Sequence, residues 1–332
     1  MSDRVTLERT PAAALKWVST PDRRKVVFAW LAVVVLFLIG GFVKSGFASG
    51  HSISTILVVA SFTGYVATGQ MFVILIGGID LSVPWVLNAG AILLVTSSLG
   101  HDSKAGLAVA LTLGLGLLIG AVNGIGVGYL GISAVVMTLG MNGIMQGITL
   151  GLTNGLTCQR CTASTPPVVH KAVLSSPLGI PNDLLLWLGV TALVTFALSA
   201  TVFGRRVYAL GNNPQASFLA GINVKLVTVV LYMLSGLFAA LAGITLTAYG
   251  GQPTLGLGDP YLLQSVAAVV IGGVSILGGR GLFLGAVAGA IILTTLVTLL
   301  QALSMPEYGR DIVYGIVILV ILLLYGRERD LG

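Results

Sequence analysis

Charge is scarce in this chain. Of its 332 residues, 8% are Asp, Glu, Lys or Arg, against roughly 25% in a soluble globular domain. A water-soluble protein so poor in charge could not cover its own surface. Cysteine is nearly absent too: Cys158 and Cys161 are the whole supply, which excludes a disulfide-built scaffold. The three histidines, His51, His101 and His170, show no His-Glu-x-x-His spacing and read as surface residues without a metal role. No Gly-Lys pair occurs anywhere, so the chain has no nucleotide-binding P-loop. No clustered nucleophile, metal or acid–base set marks an enzyme.

Apolar residues, by contrast, make up 56% of the chain, and the mean hydropathy is +1.01. Lipid must therefore be the solvent for most of the surface. The 45 glycines have no Gly-X-Y period and suit membrane helices that approach closely. An apolar run of about 20 residues crosses the hydrocarbon as a helix. Cutting at polar or Pro/Gly-rich breaks gives ten candidate spans: 26–43, 53–69, 70–98, 105–129, 133–153, 184–203, 226–249, 261–277, 282–304 and 312–325. The first follows a basic tail, residues 1–25, without a convincing cleavage motif, and reads as an uncleaved anchor rather than a signal peptide.

The net charge of +6 fits topology better than nucleic acid, because the basic residues sit between spans. With both tails (1–25 and 326–332) inside, twelve Lys and Arg fall on the inner segments and five on the outer ones. That excess is what the positive-inside rule requires.

The 70–98 candidate is too long for a simple span and contains Gly77-Gly78-Ile79-Asp80-Leu81-Ser82-Val83-Pro84. It reads as a broken helix, loosened by Gly77 and Gly78, with Asp80 or Ser82 capping the second half and Pro84 in its first turn. Asp80 is the one acidic residue well inside a candidate span. A cap is the favoured reading and a functional carboxylate the alternative. Residues 75–82 echo Val270 to Leu277, and Gly120 to Gly124 echo Gly285 to Gly289. In the ten-span order each pair runs in opposite directions, as an inverted repeat would. Asn123, Asn142, Gln146 and Gln264 are neutral polar residues within spans, candidates either for a solute pathway or for helix–helix bonds.

Two loops stand out. The inner one, 204–225, reads Gly204-Arg205-Arg206-Val207-Tyr208-Ala209-Leu210-Gly211-Asn212-Asn213-Pro214-Gln215-Ala216-Ser217-Phe218-Leu219-Ala220-Gly221 and onward. Asn213 is a good N-cap, Pro214 suits the first helical position and Gly221 the C-terminal cap. Residues 214–220 should form a two-turn helix, too short to stand alone in water. Phe218 and Leu219 offer apolar contacts, and Arg205 and Arg206 offer charge. The outer loop, 156–183, carries Cys158 and Cys161 on the oxidising side, where a disulfide stapling the loop is favoured over a redox or metal site.

The inner loop resembles the signature cytoplasmic loop of ABC-transporter permeases of the ribose-type (monosaccharide) importer family. So do Gly77 to Val83, the run Val136-Met137-Thr138-Leu139-Gly140, and Ala267 to Ser275 followed by Gly278-Gly279-Arg280-Gly281. The resemblance runs from about residue 26 to 325. The chain departs from the family at Pro84 and Asn212, each in place of a usual Gly, and in Asp259 to Gln264, where many members carry an acidic stretch.

The resemblance implies an all-α polytopic membrane protein with the importer permease fold in the inner (plasma) membrane of a bacterium, paired with a second permease copy or paralogue. It implies a cytoplasmic ATPase that holds the ATP and Mg, and an extracytoplasmic binding protein that delivers a small polar solute. This chain itself would carry no cofactor and no catalytic residue. The helix Pro214 to Gly221 would dock into the ATPase. A monosaccharide is the expected cargo; a nucleoside, a signalling sugar derivative or an amino acid is the same-family alternative. An ion-coupled transporter is disfavoured, since it needs charged groups in the spans.

Overall fold

The computed structural model describes residues 21–155, 164–177, 179–306 and part of 308–319. The tail residues 1–20, Cys158, Cys161 and residues 320–332 lie outside the described residues. Every regular element among them is helical. Lipid offers no partner to an open backbone group, so a helix that satisfies itself is the available solution.

In chain order the helices are α1 (Pro21–Val43), α2 (Gly50–Ile74), α3 (Val83–Ser98), α4 (Asp102–Gly128), α5 (Ala134–Thr153), α6 (Pro167–Leu174), α7 (Asn182–Ala200), α8 (Val202–Asn212), α9 (Pro214–Leu219), α10 (Val224–Gly250), α11 (Tyr261–Ile271) and α12 (Phe283–Ala302). Seven of them, α1, α2, α4, α5, α7, α10 and α12, are long and apolar enough to cross a membrane, while α3 and α11 are shorter apolar helices.

α2 and α10 form the centre. α2 is buried almost continuously from Ser61 to Ile74. α4 and α3 pack on α10, while α12 and α11 pack on α2, with α1 outside α12. The outer helices turn large apolar side chains away from the protein: Phe42 is 91% exposed, Leu152 81% and Phe196 62%. Such a ring would be a liability in water and is ordinary in hydrocarbon.

Close crossings depend on glycine. A Cβ on Gly116 would lie 2.3 Å from Gly236 O, and one on Gly120 2.2 Å from Tyr232 O. No side chain fits there, so α4 and α10 touch backbone to backbone.

Three expectations need correction. First, the candidates 53–69 and 70–98 are divided differently: α2 runs through to Ile74, and the break occupies residues 75–82. Gly69-Gln70 looked like a boundary because Gln70 is polar. It is buried inside the helix, where its amide donates to Asp80 O at 3.1 Å and accepts from Asp80 N at 3.2 Å. Second, the two Gly-Gly breaks do not run in opposite directions. Gly279 N donates to Leu75 O at 2.8 Å, while Tyr261 lies beside Val59 and Thr63. The helices leading into the breaks are therefore parallel, and this pair gives no inverted repeat. Third, the loops hold more helix than expected. α6 lies within the outer loop, pinned by Val168 N donating to Asp102 at 2.8 Å and by the His170 ring 2.7 Å from Ala248 O. α8 occupies half of the inner loop.

Candidate transport and coupling sites

Two features could serve transport. One is the break after α2. The other is the inner-face helix pair α8–α9.

α2 ends where Gly77 turns to φ +78°, a conformation that favours glycine. Residues 78–82 then form no regular element before α3 starts. An irregular segment inside a membrane protein must find outside partners for its backbone. Gln70 takes both main-chain groups of Asp80, and Leu81 N donates to Thr138 Oγ1 at 2.9 Å. The Asp80 carboxylate is 2% exposed. It accepts from Ser82 N at 2.9 Å, Ser82 Oγ at 2.6 Å and Ser235 Oγ of α10 at 2.7 Å. Asn123 of α4 donates to Ser82 Oγ at 2.8 Å.

Ser82 sits at the N-cap position of α3 but makes no side-chain capping bond, contrary to the capping expectation. Its hydroxyl bridges Asp80 and Asn123 instead. Asp80 bonds the Ser82 N–H ahead of the helix and ties the break to α10. Two buried atoms nearby, Asn123 Oδ1 and the Tyr232 hydroxyl, have no partner; a Cβ on Gly78 would lie 2.7 Å from that hydroxyl.

The remaining pathway candidates are not brought together. Asn142 is half-buried and Gln146 exposed, both on α5. Gln264 lines a separate cavity of about 290 Å³. Sequence reading missed Thr138 as a backbone partner. It also missed a second buried carboxylate, Asp183, which accepts from Ser61 and Tyr65 of α2. Partners 57 to 122 residues away leave no local signal.

At the inner face, Asn213 caps α9 as its side chain accepts from Ala216 N at 2.9 Å, with Pro214 following in the first turn. Gly221 turns at φ +82°. Phe218 and Leu219 are 68% and 85% exposed. They line an open groove of about 790 Å³ with Pro214, Ile222 and Lys225. Arg205 and Arg206 stand exposed on α8, opposite buried Val207 and Leu210, and do not line that groove.

α8 joins α9 to the core. Tyr208 donates to Gly281 O at 2.8 Å. Burial, then the nearby Asp22 carboxylate, pushes its phenol up to about 12, so it stays a neutral donor. Asn212 donates to Gly279 O at 3.2 Å, and Gly211 is so close to Leu75 O that a Cβ would lie 1.9 Å from it. The end of α8 therefore touches both Gly-Gly breaks at once.

Buried, membrane-length helices broken at glycines, with a half-exposed helical hairpin on one face, define a multi-pass membrane transport protein. Residues 52–322 match the model of the family described as branched-chain amino acid transport system / permease component. The chain belongs to this family. It is 36% identical over 319 residues to the ribose import permease protein RbsC of Escherichia coli (strain K12), covering 92% of this chain and 98% of that one. It is 34% identical over 311 residues to the autoinducer 2 import system permease protein LsrC of Escherichia coli (strain K12 / DH10B), covering 93% and 89%. No solved structure matches the chain.

Proposed function

We propose that this chain is the membrane permease of an ATP-driven importer for a small sugar. In this reading it works with a cytoplasmic ATPase that holds ATP and Mg, a second permease copy or paralogue, and an extracytoplasmic binding protein. It lies in a bacterial inner membrane with both termini cytoplasmic. A sugar is favoured over an amino acid because the relatives above import ribose and autoinducer 2 by name.

One observation carries the coupling part. α9 is capped and has two exposed apolar residues, Phe218 and Leu219. A six-residue helix is not stable by itself in water, so this one suits a partner surface. It follows α8 directly, and α8 bonds the second broken segment at Gly279 and Gly281 and packs on the first at Leu75. A push on α9 thus has a short path of packed groups into the spans. Arg205 and Arg206, on the exposed side of α8, would meet acidic groups of the ATPase.

The experiment is ATP hydrolysis by the reconstituted complex with and without binding protein. Phe218→Asp and Leu219→Asp should leave insertion and assembly intact but abolish the stimulation and the uptake. Normal stimulation in both variants would reduce the hairpin to a connector.

A further inference from the structure

The outward side of α1 carries charge at one end only. Arg24, Phe28, Leu31, Val35, Leu38 and Phe42 recur at steps of three and four residues and are all exposed, so they form one stripe along the helix. The last five are large and apolar and suit acyl chains. The first is an arginine. On the opposite side Val26, Ala29 and Val33 are buried, where α1 packs on α12.

Arg24 has cationic company. Lys25 lies against the second Gly-Gly break: a Cβ on Gly273 would stand 2.7 Å from Lys25 Cβ. Gly273 turns at φ +87°, and its missing side chain lets α1 come that near. From there the chain closes a tight turn. Ser275 N donates to Arg280 O at 3.0 Å, and a Cβ on Gly281 would lie 2.6 Å from Val274 Cα. Arg280 therefore stands beside Val274 and Ser275, next to the residue that Lys25 covers, and is exposed. Asp22, the acid in the first turn of α1, neighbours Tyr208 and is turned about 160° away from Arg24 on the helix. Topology explains a basic excess on one side of a membrane. It does not require Lys25 and Arg280, so far apart in sequence, to be gathered beside an apolar stripe.

We propose that α1 and the second break form a binding site for an anionic phospholipid. The headgroup phosphate sits among Arg24, Lys25 and Arg280, whose side chains only donate, and the acyl chains lie along Phe28, Leu31 and Val35. A soluble anion or a nucleic acid would use the charge and leave the stripe unused. A zwitterionic lipid would use the stripe and bring no net charge. A negative head with apolar tails uses both, and basic pockets between membrane helices suit such heads. The lipid braces α1 against the segment that α8 holds at Gly279 and Gly281. The inference depends on the chain lying in a membrane and not on which solute it carries.

The test uses the full-length chain in detergent, with phosphatidylglycerol and phosphatidylcholine of the same acyl chains as probes. Native mass spectrometry reads the bound lipid, and thermal unfolding reads its effect. Wild type should retain phosphatidylglycerol over phosphatidylcholine and melt higher with it. At about fivefold per basic residue, Arg24→Gln with Arg280→Gln should weaken that binding by tenfold or more. Arg24→Lys with Arg280→Lys should keep it. Arg206→Gln with Lys225→Gln removes the same charge from α8 and α10 and should also keep it. Equal retention of the two lipids by wild type overturns the proposal. So does an equal loss in the Arg206–Lys225 pair, which would mark a general charge effect, or displacement of the lipid by glycerol 1-phosphate at matched concentration, which would mark an anion site without a role for the tails. Should the glutamine pair fail to fold, the wild-type comparison and the lysine pair decide: loss of the preference in the lysine pair counts against the site.

Discussion

Gly120→Ala tests how the two largest helices are held together. A Cβ at Gly120 would sit 2.2 Å from Tyr232 O and 2.7 Å from Met233 Cα, where ordinary contact begins at 3.4 Å. Both neighbours are backbone, so no side chain can swing aside. α4 and α10 would have to part by about 1 Å, and a gap of that size forfeits up to about half of each dispersion well along the seam. Overpacking of this kind costs about 1–3 kcal/mol. Gly114, six residues earlier on the same helix, has nothing within 4 Å of its Cβ position. Ala there meets open space and improves helix propensity by up to about 1 kcal/mol. Thermal unfolding in detergent, followed by loss of the monodisperse elution peak, should show Gly120→Ala melting below wild type and Gly114→Ala at or above it. Equal melting of the two variants would refute the backbone-contact account of the α4–α10 seam.

Asp80→Leu should be severely destabilising, because Ser82 N, Ser82 Oγ and Ser235 Oγ would lose their acceptor at about 1–3 kcal/mol per buried group. Ser235→Ala removes one donor and should cost much less; equal folded yields for wild type and Asp80→Leu would show that the network does not hold the break. For topology, the split of twelve inner to five outer basic residues predicts that a reporter fused after Val224 reads as cytoplasmic and one near Pro166 as external. Finding both on one side would sink the assigned orientation.

The sequence by itself determined the class, the apolar helices and the short inner-face helix α9. These follow from local rules. Hydropathy over a window reports solvent, and Asn213-Pro214 with Gly221 states where a short helix starts and stops. Amphipathic α8 was hidden because its polar face and Arg205–Arg206 resemble a solvated loop.

What only the tertiary structure decided is where the polar groups go. Gln70 looked like a helix boundary, yet it continues α2 because the main chain of Asp80 satisfies it. Ser82 looked like a cap and bridges to Asn123 instead. Asn123 and Gln264, alike in sequence, are parted by the fold, one into the Asp80 network and the other onto a cavity. In a membrane protein the apolar pattern is set against lipid and is read locally. A buried polar side chain is set by its partner, which stands on another helix and is known only when the helices have packed.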